Sequence, residues 1–355
     1  MNPDRMFALT RDLIALDSVT PREKDKLLFL EQALHARGWR TRRCPVAADR
    51  WNLVAGEADP IPILFNTHID TVPPQYGPKE TPQRIYGRGA CDTHGILAAM
   101  LEALDELREQ RLSGVGLLVT VDEEGGVHLG AQRAGESLPE PDILIVGEPT
   151  ENMLIRAQKG LLKADLVAQG IEGHSGYPER ADDALDRLLL ALHDLRAQPW
   201  LTKHSAQGNT LNVFIRDGGQ AYNKIPGRAA AGLFFRLAEP MNVMRDRIEI
   251  WFRDRADPRL ELRWLGGNDP VEGLTVLDGW PTGVAAYNTD IAHFRWTRAR
   301  TLLVGPGSIH QAHRDLTGNR WDEAEWIDKQ EQCRGAENYV RLVQALTSRK
   351  ADRGT

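Results

Sequence analysis

The chain has 355 residues, enough for about two domains at roughly 150 residues each, and sets 44 Lys and Arg against 50 Asp and Glu. A net charge of −6 with 41% hydrophobic and 26% charged residues describes a globular protein with a real core. It excludes a general nucleic-acid binder, which needs a basic face for phosphates, and apolar runs such as 61–65 and 115–121 fall far short of the ~18 residues of a membrane span.

Met6, Leu9, Leu13 and Leu16 recur at helical spacing, and the charges among them leave no apolar stretch for a secretory signal. A second helix is predicted over 24–36, ending at Gly38. Cys44, Cys91 and Cys333 are odd in number and far apart, which points to a reducing, cytoplasmic setting and to neither a disulfide framework nor a cysteine zinc site. Apolar runs at 61–65, 116–121 and 142–146 then alternate with helical stretches at 97–107 and 128–135. These runs lack period-two alternation, as strands buried on both faces do, so an α/β layer is expected. Near residue 160 the character changes. Strand 162–167, helix 182–195, strands 210–215 and 229–237, helix 241–253 and strand 260–264 give the order β-α-β-β-α-β of a ferredoxin-like unit. A strand at 301–304 and a helix at 328–346 close the chain. The prediction is one α/β domain in two parts, 1–160 and 268–355, interrupted by an inserted domain at 161–267.

Five segments place chemistry-bearing residues just past predicted strands, where open α/β sheets build their sites. His68-Ile69-Asp70 puts an imidazole and a carboxylate on one face of extended chain. It reads either as a metal ligand with its orienting acid or as a solvent-facing pair. Asp92, ending Gly87-Arg88-Gly89-Ala90-Cys91-Asp92, is either a helix cap or a carboxylate able to bridge two ions. Asp122-Glu123-Glu124 is either a solvated loop edge or a pair in which one Glu ligates while its oppositely directed neighbour moves a proton. Gly147-Glu148-Pro149-Thr150 adds another strand-end carboxylate, and the 305–313 segment offers His310 and His313.

The pieces NTHIDTVP (66–73), GRGACDTHG (87–95), VDEEGG (121–126), GEPT (147–150), GHSGYP (173–178) and GPGSIHQAH (305–313) occur in the order found in a known family. The chain resembles the di-zinc metallohydrolases that include acetylornithine deacetylase, succinyl-diaminopimelate desuccinylase, aminoacylase and the glutamate carboxypeptidases. The resemblance implies an α/β catalytic domain with an inserted ferredoxin-like lid through which many members dimerise. It makes His68, Asp92, Glu124, Glu148 and His313 the ligands of two Zn²⁺ ions, for which Co²⁺ can substitute. Asp92 would bridge the ions, Glu123 would be the general base and Asp70 would orient His68. His313 rather than His310 follows from the Ala-His that ends the motif. His174 matches a histidine aimed at the scissile carbonyl, often across the dimer interface. Asn223 and Arg236 match substrate-binding positions, with Arg236 suited to grip an α-carboxylate. Two departures stand out: His94 occupies a position where the family commonly has Lys, and the charged 314–322 stretch delays the expected Glu to Glu325.

The implied activity is hydrolysis of the amide bond of an N-acyl amino acid, releasing acetate, in an acetylornithine-deacetylase-like enzyme. A dipeptidase or carboxypeptidase using the same centre is the alternative, and a catalytically silent binding protein on this fold the remote one. The expected partners are a small N-acyl amino acid and a second copy of the chain, with no nucleic acid and no membrane.

Overall fold

The computed structural model describes residues 1–351, which fall into two compact units. The first comprises residues 1–156, 273–284 and 289 onward; the second comprises 157–272 and 285–288.

A six-stranded sheet organises the first unit, in the order Thr41–Ala47, Arg50–Gly56, Val115–Thr120, Ile63–His68, Ile143–Val146, Arg300–Leu303. The last four are mutually parallel, and the Thr41–Gly56 hairpin is added antiparallel along one side. Every residue of Ile63–His68, Val115–Thr120 and Ile143–Val146 is buried, which explains their unbroken apolar sequence. From Ile63–His68 the chain passes to the strand on one side and then returns to Ile143–Val146 on the other. This reversal opens a crevice at the carboxyl end of Ile63–His68.

Helix α1 (Pro3–Ala15) starts with Asn2 accepting from the Arg5 N–H and Pro3 in its first turn. Helix α2 (Lys24–Ala36) gives way to Gly38 at φ 80°, a left-handed position that suits glycine. Helix α3 (Gly95–Glu109) is buried on nearly all sides and, with the closing helix Lys329–Ala351, packs into the main core. There the Tyr339 ring meets Phe65 edge-on, with centroids 5.5 Å apart. Among the described residues no helix is long and apolar enough to cross a membrane.

The second unit is a four-stranded antiparallel sheet in the order Thr210–Asp217, Arg228–Leu237, Gly160–Gln169, Leu260–Asn268. Numbered along the chain this is 2-3-1-4, the ferredoxin-like arrangement, and helices Ala184–Arg196 and Met241–Asp254 cover one face. Leu162, Ala164, Leu166 and Ala168 share that buried face with Ala229, Ala231, Leu233 and Phe235, a period-two pattern.

Candidate active site

The carboxyl ends of the parallel strands bring the five expected ligand residues of the first unit together. His68 ends its strand with the ring buried, and its Nε2 lies 3.0 Å from Asp92 Oδ1 and 4.0 Å from Glu148 Oε1. His313 Nε2 lies 2.8 Å from Glu124 Oε1 and 3.4 Å from Asp92 Oδ2. Asp92 therefore turns one oxygen to each imidazole, and each imidazole has a glutamate of its own. His310 is exposed, and its backbone N–H donates to Ser308 Oγ at 3.4 Å.

Local backbone sets these directions. Asp92 sits in a turn at Ala90–His94 with extended angles, φ −120° and ψ 86°, rather than in the following helix, so it is not a simple cap. Gly89, at φ 82°, lets the turn close onto the His94 ring, which an added Cβ would meet at 2.4 Å. His313 also holds a left-handed backbone, φ 59°, rare for a residue with a Cβ. Glu325 accepts from the backbone N–H groups of Cys91 and Asp92 at 3.1 and 3.2 Å and from Arg88 Nη1 at 2.9 Å. The delayed glutamate thus pins the turn that presents Asp92.

Asp70 meets His68 through its backbone more closely than through its carboxylate. His68 Nδ1 faces the carbonyl oxygen of Asp70 at 3.0 Å, whereas the carboxylate stands 3.7 Å away. That carboxylate accepts from the Thr20 hydroxyl at 2.6 Å and from the Glu123 and Glu124 N–H groups at 3.2 and 3.0 Å. Asp70 thus ties the Glu123-Glu124 turn to the His68 segment, its carbonyl on the ring and its carboxylate on the turn. His94 is buried against Lys26, with Nε2 and Nζ 2.9 Å apart, and Lys26 also donates to Ser18 Oγ at 2.7 Å. Burial pushes both groups well below their ordinary values. Lys26 of α2 thus places a basic side chain beside His94 next to this turn.

Electrostatics argue for bound cations. Burial raises the Glu148 carboxyl well above the usual range, raises that of Glu124, and pushes Glu123 up to about 8. Burial opposes charge on His68, but Asp92 and Glu148 outweigh it and raise this imidazole well above its ordinary value. For His313, desolvation is likewise outweighed by Asp92 and Glu124, which push it up to about 11. Three carboxylates and two imidazoles converge, and His68, Asp92 and Glu124 offer ligand atoms all within 4.8 Å of one another. So many buried acids are costly without a compensating charge, and mixed imidazole and carboxylate donors suit zinc-like divalent ions. The residues fit a metal centre.

His174, Asn223 and Arg236 belong to the second unit. His174 pairs with Lys224 in a two-stranded ribbon, and Ser175 N–H donates to the Asn223 carbonyl at 3.0 Å, so these two candidates are neighbours. His174 is exposed, and Gly176 N–H donates to its Nδ1 at 3.0 Å, which leaves the proton on Nε2. Arg236 lies on Arg228–Leu237 with its guanidinium 4.6 Å from the Phe234 ring centroid. Burial, and after it the Arg236 charge, lowers the Lys159 ammonium, so two cations lie near each other.

His128 and Asp290, outside every motif quoted above, also lie beside Glu123. His128 Nδ1 lies 3.0 Å from Asp290 Oδ1 and 3.6 Å from Glu123 Oε1. Their signal in the sequence was a histidine four residues beyond Glu124 and the aspartate that ends Tyr287-Asn288-Thr289-Asp290, neither at a recognised ligand spacing.

Comparison with known proteins accords with this geometry. Residues 64–345 match the family described as Peptidase family M20/M25/M40. A probable carboxypeptidase of Aspergillus terreus is 33% identical over 347 residues, covering 86% of this chain and 80% of its own length. A succinyl-diaminopimelate desuccinylase of Gluconacetobacter diazotrophicus is 38% identical over 262 residues, covering 65% of this chain and 67% of its own. An M20 family metallo-carboxypeptidase from Sulfolobus solfataricus shares the fold, with a TM-score of 0.73 at 15% identity, over 96% of this chain and 98% of that one. The matched region runs from the strand that carries His68 to the closing helix and takes in every clustered side chain, so the chain is a hydrolase of peptidase family M20/M25/M40.

Proposed function

We propose that the protein hydrolyses an amide bond whose amine side is a free amino acid, using two divalent metal ions, most naturally Zn²⁺. The observation that carries this reading is Asp92, with one oxygen turned to His68 and the other to His313. His68 with Glu148 would hold one ion, His313 with Glu124 the other, and Asp92 both. Such ions supply Lewis acidity and a water that ionises near neutrality. Glu123 is the free member of the pair: Glu124 contacts His313, whereas Glu123 faces His128. Its carboxylate would take the proton of the attacking water and return it to the departing amine, a task that favours a carboxyl titrating near neutrality. Arg236 would bind the substrate carboxylate, with Asn223 beside the same substrate. His174, carrying its proton on Nε2, would donate to the oxyanion.

The names of the relatives favour removal of a C-terminal residue or of a succinyl group, and the sequence motifs favour an acetyl group. All three share the amide and the free α-carboxylate. A panel of N-acetyl amino acids, including N-acetylornithine, with succinyl-diaminopimelate and dipeptides, each as free acid and C-terminal amide, separates them. Free acids should be cleaved and amides spared. Arg236→Ala should lose about 2–5 kcal/mol in kcat/KM on free acids, the range for truncating one partner of a buried charge pair. Undiminished preference for the acid in that variant would contradict the role of Arg236.

A further inference from the structure

We propose that His128, held by Asp290, positions the carboxylate of Glu123 for its part in the reaction. The inference rests on the reading of Glu123 as the base. His128 and Asp290 are buried, and Glu123 is nearly so, with side-chain exposures of 4%, 3% and 12%. The imidazole presents one edge to both acids: Nδ1 is 3.0 Å from Asp290 Oδ1 and 3.6 Å from Glu123 Oε1. The shorter distance assigns the Nδ1–H to Asp290, and Glu123 Oε1 lies beside the same N–H. Asp290 is itself fixed, because the Thr120 hydroxyl donates to its Oδ2 at 2.6 Å. The ring stacks on His293 with centroids 4.1 Å apart and planes 10° from parallel. Its backbone, at φ 55°, is tied by the His128 N–H to the Asp122 carbonyl at 3.1 Å.

Each contact removes a freedom. Glu123 has a long side chain on a turn that Asp70 already anchors through the backbone, so its carboxylate is the part still to be placed. An imidazole edge beside Oε1 attracts one oxygen and leaves Oε2 for the water. The same Nδ1 edge stands beside both acids, and its partial positive charge offsets their mutual repulsion. Glu123, His128 and Asp290 stand close enough to hold an ion. The Nδ1–H on Asp290 Oδ1 and the hydroxyl on Oδ2 account for Asp290 as a hydrogen-bonded partner instead.

The test combines His128→Ala, His128→Asn and Asp290→Asn with and without Glu123→Gln. His128→Ala should lower kcat about 10–100-fold, the usual cost of removing such a supporting partner, with KM within about threefold and ion content unchanged. His128→Asn keeps an amide N–H near the Nδ1 position and should restore most of the rate. In the Glu123→Gln background His128→Ala should cost nothing further, because the two act as one unit. A readout independent of turnover is the proton NMR signal of the His128 Nδ1–H, identified by its loss in His128→Asn. It should move in both Asp290→Asn and Glu123→Gln. A full additional loss in the double variant, a signal indifferent to Glu123→Gln, or an ion lost with His128 would overturn the proposal. A wild-type protein inactive on the whole amide panel would instead refute the functional reading, with the NMR arm still deciding the placement of Glu123. Should His128→Ala fail to fold, the asparagine variants and the NMR signal decide it.

Discussion

Glu102 and Glu148 are both buried glutamates, yet their surroundings differ in kind. Glu102 accepts from Arg5 Nε at 2.8 Å and Arg37 Nη1 at 2.9 Å, whereas Glu148 looks toward the His68 imidazole. Burial works against the Glu102 charge, but Arg5, the Asn2 N–H and Arg37 outweigh it and hold the carboxyl below its ordinary value of 4.5. A group depressed in the folded state contributes stability above its unfolded value and loses it as pH falls through the folded one. Glu102→Gln should therefore cost roughly 1.5–3 kcal/mol at neutral pH, the scale of hydrogen bonds to charged groups. In urea unfolding the gap should shrink as pH falls below 4.5, and a gap independent of pH would show that charge is not the cause. Residue identities in the site were legible where a motif carries them, as with His68 and Asp92. The partners of Asp70 were not, because the donors that claim its carboxylate come from Thr20 and the Glu123-Glu124 turn, remote in sequence. His128 was hidden for the same reason: Asp290 reaches it from 162 residues away.

The 314–325 stretch shows how an element of little regular structure can carry function. Arg88 is buried and binds Glu325, Asp315 and the Arg314 carbonyl, and the Tyr76 hydroxyl donates to that carbonyl at 2.6 Å. The strand Trp326–Asp328 then pairs with Arg84–Tyr86, fixing the stretch beside the turn that presents Asp92. Glu325→Ala would leave Arg88 with Asp315 as its one carboxylate and leave two buried backbone N–H groups without their acceptor. It should destabilise the protein by about 3–5 kcal/mol, the cost of breaking a buried pair. Calorimetry checks this, and a change below about 1 kcal/mol would show that the network relaxes around the loss. Sequence reading marked this stretch as a departure from the family but could not show its anchoring, since it offers no periodicity. The parallel strands were legible from their apolar runs. The hairpin Thr41–Gly56 was not, because Thr41–Ala47 alternates imperfectly and carries Arg42, Arg43 and Pro45 on exposed positions.

At the scale of the whole molecule, the ferredoxin-like order of the inserted unit was readable because each of its strands and helices is bounded by a change of period. Its association state was not, since assembly depends on which faces stay uncovered. The second unit exposes Leu189 and Leu190 on the helix Ala184–Arg196 and Phe214 and Ile215 on its edge strand, and we propose that these apolar side chains are covered by a second copy of the chain. The protein should sediment at twice 39.7 kDa, and Leu190→Glu with Phe214→Glu should halve that mass; a wild-type monomer would contradict the assignment. In the proposed site, a cluster of imidazoles and carboxylates holds two ions while Glu123 alone moves the proton. Metal analysis and turnover of Glu123→Gln on the best amide substrate test it most directly. The variant should retain close to two ions per chain and lose at least about a hundredfold in kcat, the low end for a general base. Near-normal turnover with both ions in place would contradict it.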